Sequence, residues 1–297
     1  MQAPYLHRFS LIWTLTTLFL VVAGGLVVSH EAGLSVPDWP LSYGKVMPPM
    51  EGGVFYEHGH RMVATTVGFL TIILAVWIQR TDKRAWLKRL GWAALGIVIL
   101  QGVLGGLTVL YLLPKAISIS HACLAQLFFS LTVAITIFTS PSWKSTHDSV
   151  EDSGFPSMRS MAIVAPLLVL AQVALGAAFR HKALGIVPHL AGALVVTLLL
   201  LYFVAVVLTQ YSQISLMRKM ALALTWTTLA QVVLGIAAYL TRLSVLGDQP
   251  ASVMVGFTVA HVATGALTLA FTIALAILTL RFVHAPTEAG APHAARA

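Results

Sequence analysis

Four histidines, His60, His121, His189 and His261, each stand at the start of an apolar run long enough to cross a membrane. Taken singly, such a histidine is most often an interfacial group or a hydrogen-bonded core residue. Four at matching places weigh differently, because an ionisable group at membrane depth costs roughly 2.5–3.5 kcal/mol or more and is usually tied to a function. Two per half of the chain is the number needed to hold one heme between two helices, one ligand on each face. Zinc asks for three or four His, Cys or carboxylate ligands converging on one point. Copper more often recruits Met or Cys, yet the nine Met residues do not cluster with these histidines and the one cysteine, Cys123, lies inside an apolar run. The pattern therefore predicts heme iron, with all four histidines as metal ligands.

A second constellation surrounds the first of them: Glu57-His58-Gly59-His60-Arg61. If the helix reaches back to Glu57, the i, i+3 spacing puts Glu57 and His60 on one face and turns His58 away. Two accounts of Glu57 stand side by side. In one it favours the positive end of the helix dipole and pairs with Arg61 at i+4. In the other it is an acid/base or oxygen-positioning carboxylate one turn from a metal ligand. Either His58 or His60 can serve as the ligand at this stage.

The elements that position these residues follow from composition. Hydrophobic residues make up 58% of the 297 and charged residues 9%, where a soluble domain carries roughly 25% charged residues. A water-soluble enzyme, a disordered tail protein and a disulfide scaffold are excluded. A bilayer core needs about 20 apolar residues per helix, and eight stretches qualify, near 9–29, 60–79, 90–111, 119–140, 161–179, 189–209, 220–241 and 256–281. The fold class is thus all-α integral membrane. The net charge of +8 does not signal nucleic acid, since its residues fall in short loops and form no basic groove. Twelve Lys/Arg lie on the side of both termini and six on the other, so the N- and C-termini are expected in the cytoplasm and the histidines near the outer face.

The eight spans read as two halves of four. Gln101–Gly105, Gln172–Gly176 and Gln231–Gly235 share a Gln-x-x-Leu-Gly spacing, and each is followed by a histidine-bearing span; Gly24-Gly25 is a fainter echo before His60. Close helix packing alone would explain the small residues, but the shared spacing argues for duplication, with parallel repeats about an axis along the membrane normal. The expected division is a half at 1–140, a polar linker at 141–160, a second half at 161–285 and a flexible tail at 286–297. The long outer segment 30–59, rich in Pro, Gly and aromatics, is expected to fold over the membrane surface as a lid. Arg61, Arg180, His181, Lys182 and Arg242 share its side and suit either heme propionates or lipid phosphates. Gly/Ala-rich faces would permit a homo-oligomer.

The runs Glu31–Pro40, with its Gly-Leu-Ser-x-x-Asp-Trp-Pro core, and Tyr56–Arg61 closely resemble the heme A synthase family, and the likeness in spans and histidines covers nearly the whole chain. The resemblance implies an enzyme of the cell membrane that uses O2 to oxidise the C8 methyl of heme O to the formyl of heme A. It implies His60 and His121 around the substrate heme, His189 and His261 as ligands of a resident heme b, and Glu57 as the catalytic glutamate. It also implies an electron donor, a quinol or a small redox protein, and contact with a heme O synthase or a terminal oxidase. Many bacterial relatives carry a cysteine pair in the first outer loop; this chain has none there, which places it with the cysteine-free branch and excludes a thiol–disulfide role. Two rivals share parts of the pattern: a diheme b-type electron carrier, which needs no Glu57 and no lid, and a heme transporter, which needs no tightly held heme b.

Overall fold

In a bilayer the backbone must satisfy its own hydrogen bonds, so long apolar runs become helices. The computed structural model describes residues 3–144, 149–152, 154–243 and 250–284. Its helices are α1 (Ala3–Ser29), α2 (Gly52–Thr81), α3 (Ala85–Leu110), α4 (Lys115–Thr139), the single turn α5 (Pro141–Lys144), α6 (Met158–Arg180), α7 (Val187–Gln210), α8 (Ser215–Arg242) and α9 (Ala251–Phe282). All but α5 are long and apolar enough to cross a membrane, eight in all among the described residues. The chain is an all-α, multi-pass membrane protein.

Helix contacts sort the eight into two rings. In one, α1 and α3 each pack on α2 and α4; in the other, α6 and α8 each pack on α7 and α9. The rings meet through α1–α9, α4–α9 and α4–α6. Exchanging α1–α4 for α6–α9 carries the α1–α9 contact onto α6–α4 and leaves α4–α9 in place. One apolar core gathers around Trp13, Leu74, Ile78, Leu87 and Ile135, a second around Leu200, Phe203, Met217, Leu224 and Leu275, and Phe129, Ala266 and Ala270 fill the seam. Inside the apolar layer the Thr71 hydroxyl returns to its own helix, donating to Val67 O at 2.7 Å, and receives Trp13 Nε1 at 2.9 Å. That spares the bilayer an unpaired buried donor.

The helices reach further than apolar length alone predicts, and this corrects the expected place of the histidines. His60 lies in the third turn of α2, His121 in the second of α4 and His261 in the third of α9; only His189 stands in a first turn. The extensions are built from short polar and small residues, such as Gly52-Gly53 and Ser118–Ser120, which a hydropathy reading leaves in the loops. Gly52 enters α2 with φ +55°, a left-handed conformation that glycine adopts without strain.

On the face opposite the histidines, the linker is anchored. Strand β1 (Val150–Glu151) pairs in parallel with β2 (Val283–His284) at the end of α9. Asp152 accepts from Met158 N and Arg159 N, each at 3.1 Å, and so caps the start of α6. Burial, with Asp152 nearby, raises the pKa of the Tyr211 phenol, which packs in the same core. The tail 286–297 lies outside the described residues.

Candidate functional site

Each of the four histidines rests its ring edge on a glycine of the preceding helix. A Cβ added at Gly24 would stand 3.1 Å from Cε1 of His60, at Gly105 3.2 Å from His121, at Gly176 2.9 Å from His189 and at Gly235 2.8 Å from His261. At Gly176 and Gly235 a side chain would force the ring to move, and at Gly24 and Gly105 it would crowd the ring by a few tenths of an ångström. Four repeats of one contact, on α1–α2, α3–α4, α6–α7 and α8–α9, put His60 and His121 on alternate helices of one ring, and His189 and His261 on alternate helices of the other. Each pair therefore faces the middle of its ring.

One turn before the glycine stands a glutamine in three cases, because i and i+4 share a helix face. Gln101 Nε2 donates to His121 O at 3.0 Å and lies 3.3 Å from the ring Nε2. Gln172 Nε2 donates to His189 O at 2.8 Å and lies 2.9 Å from the ring Nδ1. Gln231 Nε2 lies 3.3 Å from His261 Nε2, while His261 Nδ1 stands 3.1 Å from Gln231 O. Gly192 and Gly265 make room for the last two glutamines: Gln172 Oε1 occupies the space a Cβ on Gly192 would need, and a Cβ on Gly265 would crowd Gln231 Nε2 at 3.1 Å. At the fourth site the matching residue is Leu20, part of the apolar cluster. The sequence marked these glutamines as a repeat without showing that they clasp the histidines; the i, i+4 spacing to glycine was the available signal.

The pair His189 and His261 has the spacing of axial ligands. Its ring centroids are 6.4 Å apart with planes at 88°. Two imidazole nitrogens each ~2 Å from a shared metal, with ~1.1 Å from nitrogen to centroid, give about 6 Å. Donation from His261 Nδ1 to a backbone carbonyl is the usual outer support of a ligating imidazole and makes Nε2, which the Gln231 amide faces at 3.3 Å, the nitrogen able to bind a metal. In the other half the Nδ1 atoms of both His60 and His121 are buried without a hydrogen-bond partner. These donor sets fit a macrocycle in each ring. Among the described residues no three His, Cys, Asp or Glu side chains converge as a zinc site would need.

Glu57, His58 and Arg61 bind the outer segment. Glu57, 4% exposed, receives Arg61 Nη2 on Oε1 at 2.6 Å and Val36 N on Oε2 at 2.8 Å. Arg61 Nη1 also donates to Asp38 O and Leu41 O, both at 2.8 Å. His58 Nδ1 lies 2.8 Å from Ser42 Oγ, so His58 faces the lid and His60 the ring interior. Since Glu57 stands in the second turn of α2, a first-turn dipole role does not apply, while its i+4 pair with Arg61 is present. Within the lid, Asp38 accepts from Gly44 N at 2.8 Å and Tyr43 N at 2.6 Å, and these bonds, the first above all, lower its pKa below 3.8. The Trp39 indole packs onto Gly106, next to the glycine that seats His121. The loop is a folded cover, as its aromatics suggested, and its internal wiring was not legible beforehand.

Arg180 Nη2 donates to Gly25 O at 3.1 Å and Ser29 Oγ at 2.7 Å, crossing from α6 to α1. It also lies within electrostatic reach of Arg242 and of His261. Arg242 stacks over Phe179, 5.5 Å from its centroid. Burial, with Arg180 beside it, lowers the pKa of His181.

Fold and site together define a multi-pass helical membrane protein with a pair of facing histidines in each four-helix ring. Residues 50–280 match the COX15-CtaA family, described as cytochrome oxidase assembly protein. Among similar proteins are the heme A synthases of Symbiobacterium thermophilum, 29% identical over 181 residues and 59% of each chain, and of Alkalihalophilus pseudofirmus, 32% identical over 135 residues, 44% of this chain and 46% of the relative. That of Shewanella oneidensis is 25% identical over 194 residues, 59% of this chain and 56% of the relative. These matches span about half the length of the relatives. The chain belongs to the COX15-CtaA family, the heme A synthase family.

Proposed function

We propose that the chain is a membrane oxidoreductase that uses O2 to convert the C8 methyl of heme O to a formyl group, giving heme A. The observation that carries this reading is the unequal support of the two histidine pairs. His261 Nδ1 stands against a backbone carbonyl, His189 Nδ1 faces the Gln172 amide, and the two rings are spaced as axial ligands, which suits a permanently held heme b. His60 and His121 have unpartnered Nδ1 atoms and stand beneath a lid, with Glu57 one turn from His60. That suits a heme that must arrive and leave.

Heme b, when bound by His189 and His261, supplies an electron path from a quinol or a small redox protein. The remaining work falls to the chain's own groups. The lid over α2 excludes water from the substrate. Glu57 Oε1 is committed to Arg61, leaving Oε2 as the oxygen that can take up a proton when the Val36 amide lets go. Arg180 and Arg242, two neighbouring guanidiniums, offer charge-assisted bonds to propionates. On the substrate, two successive hydroxylations of the methyl give a gem-diol, which loses water to the aldehyde. The protein works in the cytoplasmic membrane with both termini inside, by the loop charges, and its product heme serves a terminal oxidase, with a heme O synthase as the natural supplier.

The test is heme analysis of protein purified from cells that make heme O, grown with and without oxygen. Heme A formed only with oxygen, beside retained heme b, is expected. Two b-type hemes with heme O left unchanged would make the chain an electron carrier instead.

A further inference from the structure

Three of the four histidines have a glutamine one turn before their seating glycine, and each of those glutamines, Gln101, Gln172 and Gln231, keeps a buried Oε1 with no hydrogen-bond partner. A buried acceptor left unpaired calls for a donor. The imidazole that each glutamine faces can supply one once the amide turns over, since a histidine that binds metal through Nε2 carries its proton on Nδ1, the nitrogen that Gln172 already faces at 2.9 Å. His121 shows the complementary lack, a buried Nδ1 without an acceptor. The two side chains already meet, Gln101 Nε2 lying 3.3 Å from His121 Nε2, so turning over the amide and flipping the ring brings the unpaired Oε1 and Nδ1 together. His60 Nδ1 is equally buried and unpaired, but its neighbour in the matching place is Leu20, which offers no acceptor.

From this difference we propose that Gln101, Gln172 and Gln231 are positioning residues that hold His121, His189 and His261 on the iron while a heme is bound, and that His60 is the ligand that yields. The proposal rests on the reading that His60 and His121 flank the substrate heme. Two histidines fill both axial positions of an iron and leave no place for O2. Release of His60 opens the face that lies next to Glu57, while His121, held by Gln101, keeps the heme in place. Outer hydrogen bonds of this kind change metal affinity by about 10–100-fold, enough to decide which of two otherwise equal imidazoles lets go.

The experiment uses the full chain loaded with heme, reduced with dithionite and mixed with CO, which binds only after a histidine leaves. Heme content and the fraction that reacts are read from the absorption spectrum. The wild type is expected to hold two hemes, one reactive. Leu20→Gln should slow CO binding by about tenfold by giving His60 its missing partner. His60→Ala should retain the second heme and bind CO at once, whereas His121→Ala should lose that heme. The alanine pair keeps the test open should Leu20→Gln fail to fold. An unchanged rate in heme-loaded Leu20→Gln, or a retained, reactive heme in His121→Ala with loss in His60→Ala, would overturn the assignment. A wild type that holds only the heme of His189 and His261 would remove the reading beneath it.

Discussion

Replacing Gly235 by alanine tests the seating of the histidines directly. The new methyl would stand 2.8 Å from His261 Cε1, where ordinary contact begins at 3.4 Å, so the ring must retreat by about 0.6 Å. The 6.4 Å between the His189 and His261 rings leaves no such slack, because metal–ligand distances tolerate only about 0.2 Å. Heme b should therefore be held about 10–100-fold more weakly, the cost of a disturbed ligand support, or roughly 1.4–2.8 kcal/mol. Gly176→Ala, at 2.9 Å, should follow closely. Gly24→Ala and Gly105→Ala, at 3.1 and 3.2 Å, require only small shifts and act on the other pair, so heme b should stay. Gly68→Ala and Gly96→Ala meet nothing within 4 Å and serve as controls. The assay is heme per protein from the pyridine hemochrome spectrum, with the rate of heme transfer to apomyoglobin. A Gly235→Ala protein with wild-type heme content and transfer rate would refute the reasoning, as would an equal loss in Gly96→Ala.

Glu57→Ala should lower heme A formation by about 10²-fold or more, the usual worth of a placed acid or base, with heme b content unchanged; conversion at the wild-type rate would remove Glu57 from the chemistry. Arg61→Ala removes the donor to Asp38 O, Leu41 O and Glu57 at once, so proteolysis within 36–44 should accelerate several-fold, and an unchanged digestion pattern would show that the lid does not depend on it. Asp38 has its pKa below 3.8 in the folded protein, so its hold on the Tyr43 and Gly44 amides is complete above 3.8 and is lost as pH falls through the lower folded value. Hydrogen exchange at those two amides should stay slow down to about pH 4 once corrected for intrinsic rates, and protection lost near pH 6 would contradict this.

The spans were readable because membrane length and apolarity fix them together, and the Gln-x-x-Leu-Gly repeats announced that something recurred. What the repeats do was not readable. A glutamine clasping a histidine on the next helix depends on how two helices rotate against each other, which one strand of sequence does not state. The histidines were placed at helix starts because Gly52-Gly53 and Ser118–Ser120 look like loop, yet a helix continues through such residues once its neighbours hold it. Glu57 carried two accounts from sequence alone, and the geometry of α2 retained its pair with Arg61 while removing the first-turn argument. His58 and His60 were interchangeable on paper; Ser42 on one side and Gly24 on the other separate them.

The consecutive glycines explain how the lid can sense the site. Gly105 seats His121 and Gly106 seats Trp39, so the lid's indole lies beside His121. Arg61 and Glu57, which hold the lid's backbone, flank His60. Displacing the segment is therefore expected to disturb the surroundings of both N-terminal histidines together. The connection between α6 and α7, residues 181–186, is too short to cover its ring in the same way, and there the glycines press closer and the glutamines are wedged against Gly192 and Gly265. A site that must admit and discharge a macrocycle needs a cover coupled to its ligands. One that keeps its heme needs tight seating and outer hydrogen bonds instead. The two halves, alike in helix order, differ in these respects, as the proposed pairing of an exchangeable heme with a resident one would require.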